Sequence, residues 1–205
     1  LRDGARRSYS MANAPHTLIE SGAPMVDLHI RHMPGGKFTD HVFGAMKEKE
    51  ILRIEGPYGS FHLQESPKPI VLLASGTGFA PIKAIIEHMQ FMGITRDAVL
   101  YWGGRRPHDL YLHDWVLARC AEMPHLTYVP VVSDALAEDA WSGRTGFVHQ
   151  AVLQDLPDLS GHQVYACGAP IVVDSARKDF VEKAGLPEHE FFADAFTSEA
   201  DKLSV

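Results

Sequence analysis

From Pro69 onward the chain repeats one rhythm, which narrows the possible folds more than anything else in it. Pro69–Ala74 is an unbroken apolar run. Gly76-Thr77-Gly78 follows, then a segment with Ile82, Ile85, Ile86 and Met89 on one helical face. The pattern recurs: Ala98–Trp102 reads as strand and Leu110–Glu122 as helix, then Thr127–Val132 as strand and Phe147–Leu156 as helix. Gln163–Cys167 and Ile171–Ala184 form the next pair, and Phe191–Phe196 is a last strand. Apolar strands alternating with helices imply a five-stranded parallel sheet covered on both faces, an α/β domain.

Before Pro67 the rhythm differs. Val26, Leu28 and Ile30 alternate with Asp27, His29 and Arg31, as in a half-buried strand. Ile51–Glu55 reads as another short strand, closed by Gly56-Pro57-Tyr58-Gly59. Between them Val42, Phe43 and Met46 follow Thr39 at helical spacing, with Thr39 as N-cap. The composition shift falls at Glu65-Ser66-Pro67-Lys68-Pro69, so a first domain is expected over 1–66 and a second over 67–205.

Composition excludes several function classes. The chain has 205 residues, 45% of them hydrophobic, and a net charge of −7. No basic block stands out, which argues against a nucleic-acid partner, and no apolar run approaches the length of a membrane span. Leu1-Arg2-Asp3-Gly4 does not read as the opening of a signal peptide. Two cysteines, Cys120 and Cys167, suit a reducing, cytoplasmic setting and are too few for a four-cysteine iron–sulfur cluster. His29 and His32 are wrongly spaced for one strand face, so no metal site is read.

In an open parallel sheet, ligands sit beyond the carboxyl ends of the strands. Gly76-Thr77-Gly78 lies at such an end. There the glycines would admit a ligand to the backbone, and the next helix N-terminus would favour an anion. A tight connection without a ligand would look the same. The other strand ends tip the balance: Gly103-Gly104-Arg105-Arg106, Ser133-Asp134 and Cys167-Gly168-Ala169-Pro170 bring small, hydroxyl and charged residues to one edge.

The order of motifs resembles the ferredoxin–NADP reductase superfamily: Arg7-Ser8-Tyr9-Ser10, then Gly76–Pro81, then Cys167–Pro170, then Phe192–Phe196. Residues 101–105 (YWGGR), 141–148 (WSGRTGFV) and 192–196 (FADAF) are similar to bacterial NAD(P)H–flavin reductases and to CDP-6-deoxy-glucoseen reductase-like proteins.

The resemblance implies that the first segment is part of an antiparallel β-barrel that binds FAD. Arg7 would pair with the pyrophosphate, Tyr9 would lie on the isoalloxazine ring unless it is an ordinary core aromatic, and Ser10 would approach flavin N5. His29, Ile30 and Arg31 would touch the ribityl and adenosine side, and Gly36, Lys37, Phe38 and Thr39 the diphosphate. Gly76, Thr77 and Gly78 would hold the nicotinamide cofactor. Thr77 would lie between the two rings and Cys167 beside the nicotinamide, with Gly168 and Ala169 next to it. Asp194 and Phe196 would approach the flavin from the carboxyl end, with Ser10, Thr77, Cys167 and Asp194 forming the catalytic group. FADAF followed by Thr197–Val205 departs from the aromatic–Glu or closing tyrosine of many relatives.

The implied reaction passes hydride from NADH or NADPH to FAD, and then electrons to an iron–sulfur (ferredoxin-type) protein or domain, or to another acceptor. Such a step needs orientation more than acid–base machinery. Asp134 favours NADH and Arg105 with Arg106 favours NADPH, with the balance leaning to NADH. A free-flavin reductase, or a flavin-free nucleotide-binding fragment, stays open. Because relatives carry strands before the Arg7–Ser10 motif, the chain is expected to be a truncation, with residues 67–205 well formed and the flavin half less stable.

Overall fold

A computed structural model describes residues 6–18 and 24–196; Leu1–Ala5 and the tail after Phe196 lie outside the described residues. Among the described residues six strands form one parallel sheet: β1 (Ile70–Ser75), β2 (Ala98–Gly104), β3 (Leu126–Val132), β4 (Arg144–Thr145), β5 (Gln163–Gly168) and β6 (Phe191–Ala195). The spatial order is β4-β3-β2-β1-β5-β6. The sheet therefore has one strand more than the five expected. β4 is only two residues long, too short to leave a periodic signal, and it pairs Arg144 with Val131 and Thr145 with Val132.

Alternation within each strand builds two cores. Ile70, Leu72 and Ala74 face one side with Leu100 and Trp102. They pack under α2 (Phe79–Phe91) and α3 (His113–Glu122), through Phe79, Ile82, Ile86, Met89 and Val116. Val71, Leu73 and Tyr101 face the other side, under α4 (Val148–Asp155) and α5 (Pro170–Ala184), through Val152, Val173, Ala176 and Phe180. Burial of both faces explains why β1 and β5 read as continuous apolar runs.

The strand order reverses at β1, whose neighbours are β2 and β5. The loops leaving β1 and β5 thus flank a topological switch point, where such sheets bind ligands.

The first third is less regular. Among its described residues the only bridge is the antiparallel pair Met11–Leu28, and neither 26–30 nor Ile51–Glu55 forms a ladder. The expected strands are chain without regular structure instead. Alternation can hold a segment extended, but a strand exists only when a neighbour takes its N–H and C=O groups. The expected helix is present as α1 (Lys37–Asp40) running into a π turn over His41–Ala45. Thr39 is not its N-cap; Gly36 takes that position. Buried Thr39 sits one turn in, where its Oγ1 donates to the Met33 carbonyl (2.9 Å) and accepts from the Met33 N–H (3.2 Å).

The link into the sheet is clasped from below. Arg96 donates from Nη1 to the Gln64 carbonyl (3.0 Å), from Nε to the Lys68 carbonyl (2.8 Å) and from Nη2 to Gln163 Oε1 (2.7 Å). The Gln64 N–H donates to the Tyr165 hydroxyl (2.9 Å).

Candidate functional site

At the end of β1, Gly76–Gly78 form a single 3-10 turn that feeds α2. Gly76 has φ +54°, a conformation that favours glycine, and open space where a side chain would stand. A Cβ at Gly78 would lie 2.2 Å from the Cys167 carbonyl oxygen, so its bare Cα lets the turn pack closely on β5. Gly168 answers from the other side, with φ +141° and a Cβ position 2.7 Å from Ser75 Cβ. The two loops at the switch point are thus locked to each other.

Three aromatic residues not anticipated from the sequence support this edge. Trp102, fully buried, donates its indole N–H to the Gly76 carbonyl (3.0 Å) and stacks on Phe79 (centroids 3.9 Å apart, 16° between planes). Tyr111 meets both rings edge-on. Tyr111 also links to the flavin-side segment, its hydroxyl lying 2.6 Å from His29 Nδ1. Burial holds His29 below the usual imidazole range and pushes the Tyr111 hydroxyl up. The signal for these contacts was present in YWGG, but which partners a buried aromatic meets depends on tertiary packing.

The residues expected to be catalytic converge in part. Ser10 donates from Oγ to Asp194 Oδ2 at 2.6 Å, across 184 residues of sequence. Asp194 stands in register with Cys167 on neighbouring strands. Cys167 is fully buried, and burial, with the Asp194 carboxylate second, pushes its thiol far up, so it stays protonated at neutral pH. Its carbonyl touches the Gly78 turn, next to half-buried Thr77. Phe196 donates its N–H to the Gly168 carbonyl (2.8 Å), which fixes the end of β6 over the same loop.

Around this centre the flavin-side residues are spread along one stretch. Half-buried Tyr9 tilts against Phe38 (5.6 Å, 52°), and burial pushes its hydroxyl up despite Arg7. Arg7 is exposed and turns Nη1 to the Arg6 carbonyl (2.8 Å). Lys37 opens α1 behind Gly36, whose missing side chain leaves room for the Thr39 hydroxyl and the Met33 carbonyl. Ile30 is half-buried and Arg31 exposed. The donor set — a guanidinium, an ammonium and a helix start beside an aromatic ring — fits the phosphates and flat ring system of FAD.

The far strand ends carry a second group. Arg105 Nη2 lies 3.2 Å from Asp134 Oδ2, with both side chains largely in solvent. Arg106 instead grips Asp139 through Nε (2.7 Å) and Nη2 (2.9 Å) and holds that carboxyl below the usual range. Ser133 returns its N–H to the Gly104 carbonyl (3.0 Å). Ala169 is exposed at the start of α5, its carbonyl accepting from Val172 and Val173. This group is not joined by any hydrogen bond to Ser10 or Asp194.

The sheet reverses at β1, and a serine of the segment before it reaches the last strand, an arrangement that suits a two-part nucleotide-binding protein. Residues 2–63 match the Oxidoreductase FAD-binding domain family and residues 72–178 the Oxidoreductase NAD-binding domain family. The chain belongs to this family of FAD- and NAD-binding oxidoreductases, within the ferredoxin–NADP reductase superfamily. It is 44% identical over 197 residues to CDP-6-deoxy-L-threo-D-glycero-4-hexulose-3-dehydrase reductase of Yersinia pestis, covering 95% of this chain and 56% of that protein. It is 37% identical over 201 residues to the terephthalate 1,2-dioxygenase reductase component 2 of a Comamonas species, covering 97% and 57%. The crystal structure of an Amycolatopsis cytochrome P450 reductase superposes with a TM-score of 0.83 at 32% identity, over 95% of this chain and 57% of that one. The chain spans just over half the length of these relatives.

Proposed function

We propose that this chain is the flavin- and nicotinamide-binding portion of an NAD(P)H-dependent flavoprotein reductase, with residues 1–66 serving FAD and residues 67–205 the nicotinamide cofactor. The observation that carries this reading is the Ser10–Asp194 hydrogen bond, which joins the flavin-side motif to the strand beside Cys167. The bound FAD would accept hydride from the nicotinamide and release electrons singly.

The chain's own residues orient and shield. Tyr9 offers a ring face, Arg7, Lys37 and the start of α1 offer donors to phosphates, and Ile30 and Arg31 border the same stretch. Thr77 and Cys167 would pack beside the nicotinamide, with Phe196 fixing the loop above. Ser10 holds a proton on Oγ directed to the Asp194 carboxylate, and Cys167 contributes a neutral, buried wall rather than a thiolate. Orientation of two rings needs no catalytic triad.

NADH is the favoured donor. With Arg106 committed to Asp139, Arg105 alone is left to greet a 2′-phosphate, and Asp134 faces it. The electron acceptor proposed is an iron–sulfur protein or domain, in keeping with the resemblance to ferredoxin–NADP reductases and with relatives named as the reductases of a dehydrase and of a dioxygenase. The two cysteines, both free thiols, fit a reducing cytoplasm, and among the described residues no helix is long and apolar enough to cross a membrane.

The test is anaerobic mixing of the FAD-loaded protein with NADH or NADPH while the flavin absorbance is followed. Bleaching by NADH, faster than by NADPH, is expected. A colourless protein that takes up no FAD would overturn the reading in favour of a nucleotide-binding fragment, and flavin lost on simple dialysis would favour a free-flavin reductase.

A further inference from the structure

α2 begins at the Gly76–Gly78 turn, and one turn further along it carries an ion pair that the proposed chemistry does not use. Lys83 and Glu87 stand at i,i+4, bonded to each other, with side chains only 11% and 18% exposed. Both also reach out of the helix to the flavin-side segment. Lys83 Nζ donates to the Ala12 carbonyl (3.0 Å), and Glu87 Oε2 accepts the Ala14 N–H (2.9 Å). Lys83 is further held over the Trp115 ring, 5.3 Å from its centroid.

The segment they hold is itself buried and closely hydrogen-bonded. Ala12 and Ala14 are fully buried. The Ala12 N–H donates to the Asp27 carbonyl (2.8 Å). Asn13 donates from Nδ2 to Thr17 Oγ1 (2.9 Å) and to the Met25 carbonyl (3.1 Å), and its Oδ1 accepts the Asp27 N–H (2.9 Å). Below them His16 stacks on Phe91 at the far end of α2 (4.0 Å, 5°). Ala12 lies two residues after Ser10, and Lys83 lies six after Thr77. A single rigid helix thus ties the backbone beneath Tyr9 and Ser10 to the turn that bears Thr77.

Resting on the reductase reading, we propose that Lys83 and Glu87 are positioning residues for hydride transfer: a charged clamp that sets the separation of the flavin-side ring platform from the nicotinamide-side turn. A buried pair that satisfies main-chain groups on another segment has one geometry available, because each charge released from it would be left without a partner. Hydride transfer depends on the separation of the two rings so steeply that about 1 Å of slack costs on the order of 10²-fold in rate. The clamp lies outside the residues assigned to either cofactor, so its loss should slow transfer without weakening nucleotide binding.

The experiment compares wild type, Glu87→Ala, Glu87→Gln and Lys83→Met. Hydrogen–deuterium exchange on protein without added ligand reads the clamp itself. In Glu87→Ala the amides of 11–18 should exchange about tenfold faster or more, as expected when a buried hydrogen bond is lost, with β1 and β2 unchanged. Glu87→Gln keeps an acceptor for the Ala14 N–H and should retain most of that protection. Rapid mixing of the FAD-loaded proteins with NADH should then show a limiting reduction rate about 10–100-fold lower in Glu87→Ala and Lys83→Met, at a half-saturating NADH within about twofold of wild type.

Unchanged exchange and unchanged rates in a wild-type background that is reduced normally would overturn the clamp alone. So would a rate loss accompanied by loss of protection across the whole sheet, since that is general destabilisation. A wild-type protein that takes up no FAD, or holds it unreduced, would instead sink the reductase reading, whatever the exchange at 11–18.

Discussion

Residues 51–58 and β1, on either side of Pro67, treat their apolar side chains in opposite ways. Ile70 to Ala74 are at most 1% exposed, whereas Ile51 is 96% exposed, Ile54 65% and Tyr58 82%. The sheet region satisfies itself, with every inner strand paired on both sides and each face covered by helices. The flavin-side region is placed largely by polar bonds to its neighbour: Arg96 and Tyr165 at the link, Lys83 and Glu87 on α2, Tyr111 opposite His29, and Asp194 opposite Ser10. The difference teaches that the two regions have separate sources of order. Apolar burial makes the nucleotide half, and directional bonds orient the other half upon it.

The contrast can be tested from its largest expected effect downward. Trp102→Ala removes a fully buried ring and the indole bond to Gly76, and should cost about 3–5 kcal/mol in urea unfolding of the sheet region. A cost under about 1 kcal/mol would break the picture of a self-sufficient core. Ser10→Ala leaves Asp194 without its donor and should lower the anaerobic rate of flavin reduction by about 10²-fold, with the unfolding midpoint of the sheet unmoved. Arg96→Met removes three donors from the link and should destabilise by about 1.5–3 kcal/mol. It should also open the 61–68 segment to proteases before the sheet.

Smaller effects sharpen the same comparison. Lys68, first among its partners, and Gln163 hold the Glu190 carboxyl below its ordinary 4.5. A depressed carboxylate stabilises the fold above its unfolded pKa and loses that contribution as pH falls through the folded value. In acid titrations Glu190→Gln should therefore lose the part of the pH dependence that lies below 4.5, a change of under about 1 kcal/mol for this partly exposed pair. Ile51→Ser, at the opposite extreme from Trp102, should stay within about 0.5 kcal/mol of wild type in the same urea experiment. A larger loss would show that residues 51–55 pack on something in solution.

Legibility in the sequence followed the range of the forces involved. The five main strands and four helices of the second region were readable because both-face burial writes itself as continuous apolar runs, and helical burial as a 3.6-residue period. β4 was not readable, since two residues have no period. Thr39 carried the right chemistry at the wrong position: a hydroxyl near a helix start reads as a cap, but only the fold shows it bonding back to Met33 from inside the first turn. Gly78 stood out in the sequence as a glycine that could admit a ligand, and only the fold shows that it also packs against the Cys167 carbonyl. Lys83 and Glu87 carry no readable signal of their contacts, since an i,i+4 spacing says nothing of what the pair will grip.

What the chain's order of residues determined alone is the class of fold and the edge of the sheet where chemistry would sit. Local periodicity is a property of neighbouring residues, and strand ends in a parallel sheet all point one way. The tertiary structure decided the rest: that the sheet reverses at β1, that Ser10 meets Asp194, that Arg106 is bound to Asp139 and Arg105 is set opposite Asp134, and that one helix ties two regions together. Those outcomes join groups tens to hundreds of residues apart, and only the packing of the two cores brings such groups within a hydrogen bond of one another.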